Sequence, residues 1–327
     1  MAKRTLKDIA KELCESHPNA SKMSIARKIA AVSGCTFSVA RGAVATVTGA
    51  RGDNRRHLKS VEHHFGVAPE MPKSKAEEWK SFDVTGQHET LILSDVHIPY
   101  HSELALNAAV KYGKERKPDI VLLNGDWGDW YRCSRYTQDP RSRFPYLLDE
   151  LQLQKQSLQW LRKQFPEQRI IFKKGNHDER WDHWVWSRTP ELSELPELRL
   201  EHRLGFDELG IEMVGEQRPI MLGKLPVFHG HELPKGIASP VNPARGVYMK
   251  LGTTGLIGHG HRTSTHAESN WKKNELCCWS TGCLCDMTPA YARIQKWNWG
   301  FAYVTQEKSG SFQVENLRIN SNGDVHQ

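Results

Sequence analysis

No apolar run in the chain approaches the roughly 20 residues that cross a bilayer, which argues against a helical membrane span and a membrane partner. The first stretch, MAKRTLKDIAKELCES, carries charges where a secretion signal needs an apolar segment, so export is not expected. Cysteine is sparse, with seven residues, an odd number. Without an export signal, that count predicts reduced thiols in a cytoplasm. Cys277, Cys278, Cys283 and Cys285 lie close together but lack the CxxC pairs of a structural zinc site, so buried strand cysteines are expected. A charge surplus is missing from four-fifths of the chain. Residues 1–65 hold twelve Lys/Arg against five Asp/Glu, and the rest of the 327 residues hold 33 of each sign. The whole net charge of +7 therefore sits at the front, where a polyanion is expected to meet the chain.

That front segment reads as three helices. Leu6, Ile9, Ala10 and Leu13 share one helical face, Ile25, Ile29, Ala30 and Val32 partly repeat it, and Gly34 ends the second helix. Thr36 or Ser38 can cap a third, running to about Val47. Helix, glycine turn, helix predicts a helix-turn-helix domain over residues 1–60, with Ser38, Arg41 and Thr46 toward a DNA groove. Arg51, Arg55 and Arg56 would follow as a tail gripping phosphates. A three-helix dimerisation element with a solvated basic face is the alternative, although nothing in the sequence indicates a homo-oligomer. Residues 61–87, which include Pro69 and Pro72, predict a linker.

From residue 88 to 327 the pattern is α/β. Residues 90–93, 119–123 and 169–172 read as buried strands. Helices over 103–116 and about 146–164 separate them, the second turning Leu147, Leu148, Leu151, Leu158 and Leu161 inward. This β-α-β-α-β order predicts right-handed crossovers and a parallel sheet. Its three strands lead to Asp95 and His97, Asp126 and Asp129, and Asn176 and His177, at the edge where open α/β sheets bind ligands. A hairpin over 219–222 and 225–228 leads to His229 and His231, and a strand over 253–257 leads to His259 and His261. Strands near 275–281, 300–305 and 312–319 follow, so the second half predicts a second sheet against the first. Residues near 181–215 read as a Trp-rich insertion.

The ordered set Asp95-x-His97, Gly125-Asp126-x-x-Asp129, Gly175-Asn176-His177-Asp178, His229 and Gly258-His259-x-His261 resembles the calcineurin-like metallophosphoesterase superfamily over residues 89–265. Burying so many carboxylates and imidazoles without a metal would be costly. Their mixed donors suit Mn²⁺ and related ions (Fe, Zn²⁺, Ni²⁺, Mg²⁺) better than Ca²⁺. The resemblance implies a β-sandwich flanked by helices and two divalent ions. One would be held by Asp95, His97 and His261, the other by Asn176, His229 and His259, with Asp126 bridging and a shared hydroxide attacking the phosphate. It also implies that His177 acts on the phosphate or its leaving oxygen, oriented by Asp129. Asp178 either assists or is an exposed acid at a turn. His231 either contacts substrate or supports the neighbouring ligand, and His101 reads as a surface histidine.

Protein phosphatases of this superfamily carry arginines where this chain has Trp130 and Lys174, which argues against a phosphoprotein substrate. Lys174 and Arg180 are the expected substrate contacts, and Lys173, Arg188, Arg245 and Arg262 also lie near motifs. Trp127, Trp130, Tyr131, Trp181, Trp184 and Trp186 either stack nucleobases or pack the insertion. The expected activity is that of a dinuclear phosphodiesterase or nuclease acting on DNA or nucleotides. Gly282 to Tyr291 and Trp299-Gly300-Phe301 are similar to phage and prophage members, which implies a bacterial cytoplasm. Alternatives are a small-nucleotide or cyclic-nucleotide hydrolase whose helices serve assembly, and a non-catalytic scaffold. Against the scaffold stands the retention of His177 and all seven expected ligands.

Overall fold

The computed structural model describes residues 4–50, 70–137, 146–235, 241–269, 271, 275–289 and 293–327. The chain divides into two compact units, Met1–Ala76 and Glu77–Gln327. In the first, α1 (Leu6–Ser16), α2 (Lys22–Ser33) and α3 (Phe37–Val47) enclose Ala10, Ile25, Ala26, Ile29, Ala40 and Val44. A reciprocal Thr5–Asp8 capping box starts α1, and Gly34 ends α2 in the left-handed conformation, φ 69°. Ser38 and Arg41 are exposed on α3. Thr46, expected to face outward, is half-buried and donates its hydroxyl to Gly42 O at 3.0 Å. Arg51, Arg55, Arg56 and residues 61–69 of the expected linker lie outside the described residues, while the end of that linker, Phe82–Val84, is a strand of the second unit.

The second unit opens with β1 (Phe82–Val84), β2 (His88–Leu93), α4 (Glu103–Arg116) and β3 (Ile120–Asn124). Next come α5 (Leu147–Gln164), β4 (Arg169–Lys173), α6 (Glu179–Arg188), α7 (Leu200–Leu204), α8 (Phe206–Leu209) and β5 (Ile211–Val214). The hairpin β6 (Ile220–Leu222) and β7 (Leu225–Phe228) precedes α9 (Pro243–Leu251), β8 (Gly255–Ile257), β9 (Ser264–Ser269) and β10 (Glu275–Ser280). The chain closes with β11 (Gly300–Gln306), β12 (Phe312–Ile319) and β13 (Val325–His326). A seven-stranded sheet runs β13-β12-β11-β2-β3-β4-β5, and a six-stranded sheet runs β1-β6-β7-β8-β10-β9.

Strand alternation explains why these sheets stack. Ile92, Ile120, Leu122, Ile171, Ala302 and Val304 point from the larger sheet toward Val84, Ile220, Leu222, Leu225, Val227 and Leu256 of the smaller. Their neighbours Leu91, Leu93, Val121, Leu123, Ile170 and Phe172 point the other way, onto Ala105, Leu106 and Ala109 of α4 and Leu158 and Leu161 of α5. On the outer face of the smaller sheet, Ala244 and Val247 of α9 pack on Ile257 and Cys278. The result is an α/β/β/α sandwich.

Two expectations need correction. The strands over 300–305 and 312–319 do not join the second sheet, because β11 pairs antiparallel with β2 beside the parallel β2-β3-β4-β5 run. Phe301 and Tyr303 face the helices while Ala302 and Val304 face the inter-sheet core, so β11 is apolar on both sides and belongs inside a covered sheet. On α5, Leu148 is 69% exposed, and Glu150 and Gln154, at 1% and 0%, take buried positions that the leucine count left unassigned. Part of the insertion is also sheet, since β5 extends the parallel run from β4.

Candidate active site

Because β2, β3 and β4 are parallel, their carboxyl ends lie together, and the parallel pair β7 and β8 ends nearby. Five strand tips thus deliver the polar residues to one edge. The turns are tight: Asp95, His97, Asp126, Trp130, His259 and His261 all have φ between 51° and 58°. Left-handed backbone is uncommon for such residues and persists where surrounding contacts over-determine it. Two glycines allow the loops to touch. A Cβ on Gly125 would fall 2.3 Å from His229 Nδ1, and one on Gly175 would fall 2.3 Å from Asp126 Oδ1.

Asp178 organises this contact. Expected either to assist or to be exposed, it is fully buried and accepts from Asp126 N at 2.8 Å, Gly175 N at 2.9 Å and Gly128 N at 3.2 Å. Burial and the Asp126 charge push its carboxyl up to about 6. Asp178 is therefore a fastener between two loops.

All seven expected ligands converge. Asp126 Oδ1 accepts from His177 N at 2.8 Å, while its Oδ2 lies 3.3 Å from His229 Nε2 and 3.8 Å from His97 Nε2. Asn176 Oδ1 is 3.3 Å from His229 Nε2, and donor atoms of Asp126, His229 and His259 lie within 4.8 Å of one another. On the other side, Asp95 Oδ1 sits 3.1 Å from His261 Nε2, which is 3.3 Å from His97 Nε2. Asp95 Oδ2 accepts from His259 N at 2.9 Å.

The outer edges of the imidazoles are occupied. His229 Nδ1 donates to Asn124 O at 2.8 Å, and His97 Nδ1 donates to Asp129 Oδ1 at 3.2 Å. Such partners fix the tautomer and turn Nε2 inward. Beside His261, Cys285 Sγ lies 4.0 Å from Nδ1 and the Trp297 ring packs edge-on at 4.2 Å. Inward-facing Nε2 atoms and a buried Asp95 Oδ1 with no aligned donor form a donor set that fits divalent cations. Without them, protons fill the role. Burial opposes charging His229 and His261, yet Asp126 raises the first to about 10 and Asp95 raises the second to about 9. The same exchange, dominated in sign by the imidazolium partners despite burial, holds Asp95 and Asp126 below the usual carboxylate range.

His177 lies at the edge of this cluster. Its Nδ1 is 2.9 Å from Asp129 O and 3.2 Å from Asp129 Oδ1, and Arg180 Nη2 is 2.9 Å from its Nε2. A carbonyl can only accept and a guanidinium can only donate, so the ring carries its proton on Nδ1 here. Arg180 Nη1 also donates to Asp129 O at 2.8 Å.

The other expected contacts are engaged elsewhere. Lys174 pairs with Asp182 at 2.6 Å, and the buried Lys173 pairs with Glu232 at 3.1 Å, so neither is presented to a ligand. His231 lies between Glu179 at 3.1 Å and Glu232 at 3.2 Å. Glu232 was not foreseen: it accepts from His229 N at 2.9 Å and Gly230 N at 2.7 Å, and its place directly after His231 was the available signal. Trp127, Trp130 and Trp181 are buried, so they pack the domain, whereas Trp186 is 56% exposed. Of the clustered cysteines, Cys277 and Cys278 lie on β10, but the buried Cys283 and Cys285 lie beyond it in a loop.

A two-sheet α/β sandwich that gathers imidazole, carboxylate and carboxamide donors at one edge defines a metal-dependent phosphoester hydrolase. The chain belongs to the calcineurin-like phosphoesterase family, whose model matches residues 88–279. It is 29% identical over 227 residues to the Gene 54 protein of Mycobacterium phage L5, covering 66% of this chain and 88% of that one. The corresponding protein of Mycobacterium phage D29 is 27% identical over 227 residues, with the same coverage. Among solved structures it is similar to Vacuolar Protein Sorting 29 from Cryptosporidium parvum (13% identity, 74% of this chain and 95% of that one, TM-score 0.40). It is also similar to the phosphoesterase Yfce from E. coli (14%, 71% and 100%, TM-score 0.32). A third is the Pseudomonas putida nuclease MPE (14%, 70% and 87%, TM-score 0.29). No described helix is long and apolar enough to cross a membrane.

Since His229 and His261 hold protons in the metal-free state up to about pH 10 and 9, cation binding at pH 7.5 must displace them. About two protons per chain are expected to leave on loading, read as the buffer dependence of the calorimetric heat, and affinity should fall as pH falls. Asp126→Ala should lower bound Mn²⁺ to one ion or none per chain by elemental analysis and abolish phosphoester hydrolysis.

Proposed function

We propose that the chain is a dinuclear phosphodiesterase acting on DNA or nucleotides, with its amino-terminal helices serving as the DNA-binding element. One observation carries the dinuclear reading: Asp126 Oδ2 is within 3.8 Å of His97 Nε2 and 3.3 Å of His229 Nε2, so a single oxygen is shared by both donor sets. Asp95, His97 and His261 would hold one ion, Asn176, His229 and His259 the other, and Mn²⁺ suits these donors. Such ions supply Lewis acidity and a nucleophile from water at neutral pH. Asp129 orients His177 through both its carbonyl and its carboxylate. Once Arg180 turns from Nε2 to the phosphate and Nε2 takes up a second proton, His177 gives that proton to the leaving oxygen. Arg180 offers its guanidinium to a non-bridging phosphate oxygen.

The charge supply favours a diester. With Lys173 and Lys174 paired to acids, Arg180 is the guanidinium that reaches His177 among the described residues. Beyond the charge of the two ions, a single guanidinium beside the ligand cluster matches the one negative charge of a diester better than the two of a monoester. The exposed Ser38 and Arg41 on α3, together with the basic surplus of residues 1–65, support DNA as the polymer met by the first unit.

The deciding experiment loads the protein with Mn²⁺ and compares bis(p-nitrophenyl) phosphate, p-nitrophenyl phosphate, single-stranded DNA and cyclic nucleotides. Faster diester than monoester turnover together with DNA cleavage is expected. Turnover of small nucleotides with intact DNA would reject the DNA assignment, and inertness toward every ester would reject the hydrolytic one. His177→Ala should lower kcat by about 10²- to 10⁴-fold with bound metal unchanged. Arg41→Ala should weaken DNA retention and reduce the salt slope of log K by about 1, with small-diester turnover unaffected.

A further inference from the structure

The loop carrying Asp126 and Asp129 is backed by a polar stripe on α5. Glu150, Gln154 and Ser157 occupy positions i, i+4 and i+7 of that helix, one face. Each meets a different loop residue. Ser157 Oγ accepts from Trp127 Nε1 at 2.9 Å. The Gln154 amide lies where a Cβ on Gly128 would come within 1.9 Å of it. Glu150 Oε1 accepts from Trp130 N.

The last contact involves the peptide unit between Asp129 and Trp130. Its N–H is held by Glu150 from behind, and its carbonyl holds His177 Nδ1 at 2.9 Å and Arg180 Nη1 at 2.8 Å in front. Trp130 itself is left-handed, φ 51°, with its side chain fully buried against Trp181. Left-handed backbone is unfavourable for a non-glycine residue, so surrounding contacts must hold it. Glu150, 1% exposed, is the side chain in place to do so.

We propose that Glu150 is a positioning residue for His177 and Arg180, acting through the orientation of the Asp129–Trp130 peptide plane. A peptide unit is rigid, so fixing its N–H direction fixes its C=O direction as well. Losing the acceptor on α5 would free the plane to rotate and let the imidazole drift from the phosphate. Burial, followed by the charge of Asp129, pushes the Glu150 carboxyl up to about 8, which makes glutamine a near-isostere at neutral pH.

The inference rests on His177 acting at the phosphate, and the test separates the two claims. Mn²⁺-loaded full-length wild type, Glu150→Met, Glu150→Gln, His177→Ala and the Glu150→Met/His177→Ala double variant are assayed on bis(p-nitrophenyl) phosphate. Glu150→Met should lower kcat about 10- to 100-fold, as a misplacement of about 1 Å does, with metal content unchanged. Glu150→Gln, which keeps an acceptor, should stay within about threefold. In the His177→Ala background Glu150→Met should cost severalfold less than in the wild type, leaving only the share that acts through Arg180, because Glu150 and His177 are coupled. An equal loss in both backgrounds, a wild-type kcat for Glu150→Met, an equally impaired Glu150→Gln, or lost metal would each overturn the proposal. If His177→Ala alone were fully active, the parent reading would fail instead. Should Glu150→Met not fold, Glu150→Asp, which withdraws the carboxylate by one methylene, carries the same two-background comparison.

Discussion

A carboxylate withdrawn from water, as Asp126 is, costs several kcal/mol unless its lone pairs are met by donors or cations. At Asp126 one oxygen accepts the His177 backbone N–H, its own N–H is received by Asp178, and the other oxygen faces His229 and His97. Loops from β3, β4 and β7 must therefore arrive together, and they do so through Gly125 and Gly175, where no side chain could intervene. The sheets serve this requirement. Parallel strands with apolar residues on both faces put their tips side by side, and α4 and α5 cover the face that the second sheet leaves open.

Left-handed backbone recurs along this edge, and its cost is met locally. Asp95 is clasped by the His259 N–H and by Leu284 N, which donates to its carbonyl at 3.0 Å. Leu284, Cys285 and Trp299 come from the far end of the sequence, and Trp299 Nε1 donates to Cys285 O at 2.9 Å, so the carboxyl-terminal segment braces one half of the donor set. Glu232 and Asp178 brace the other half through backbone N–H groups. Asp178 is buried, the Glu232 side chain is 5% exposed, and neither contributes to the expected ligand set.

Much of the donor set was legible in the sequence because chemistry and spacing coincide there: short β-branched runs end in Asp, Asn and His, and five such endings occur in order. The helix over 103–116 was legible from its spaced apolar residues, and the structure adds its cap, Ser102, which accepts from Ala105 N at 3.2 Å. What could not be read was pairing between distant segments. β11 looks like any apolar strand until β2 stands beside it, and a lysine before a glycine looks available until Glu232 or Asp182 closes on it. Tryptophans near a phosphate motif invite stacking, but Trp127 and Trp130 have their rings in the core, where Ser157 of α5 accepts from Trp127 Nε1 and Trp181 packs against Trp130. Glu150 and Gln154 were left unassigned on a leucine-rich helix, and both occupy its dry side.

The position of β11 bears on how the molecule comes into being. Residues 300–306 are the antiparallel neighbour of the strand that leads to Asp95, more than two hundred residues earlier. A nascent chain lacking them presents β2 as an open sheet margin, apolar and ready to pair with another molecule. Contacts of such long span are slow to form. Residues 300–306 must therefore be synthesised before that margin is sealed, and until then the growing chain is exposed to association with its own copies.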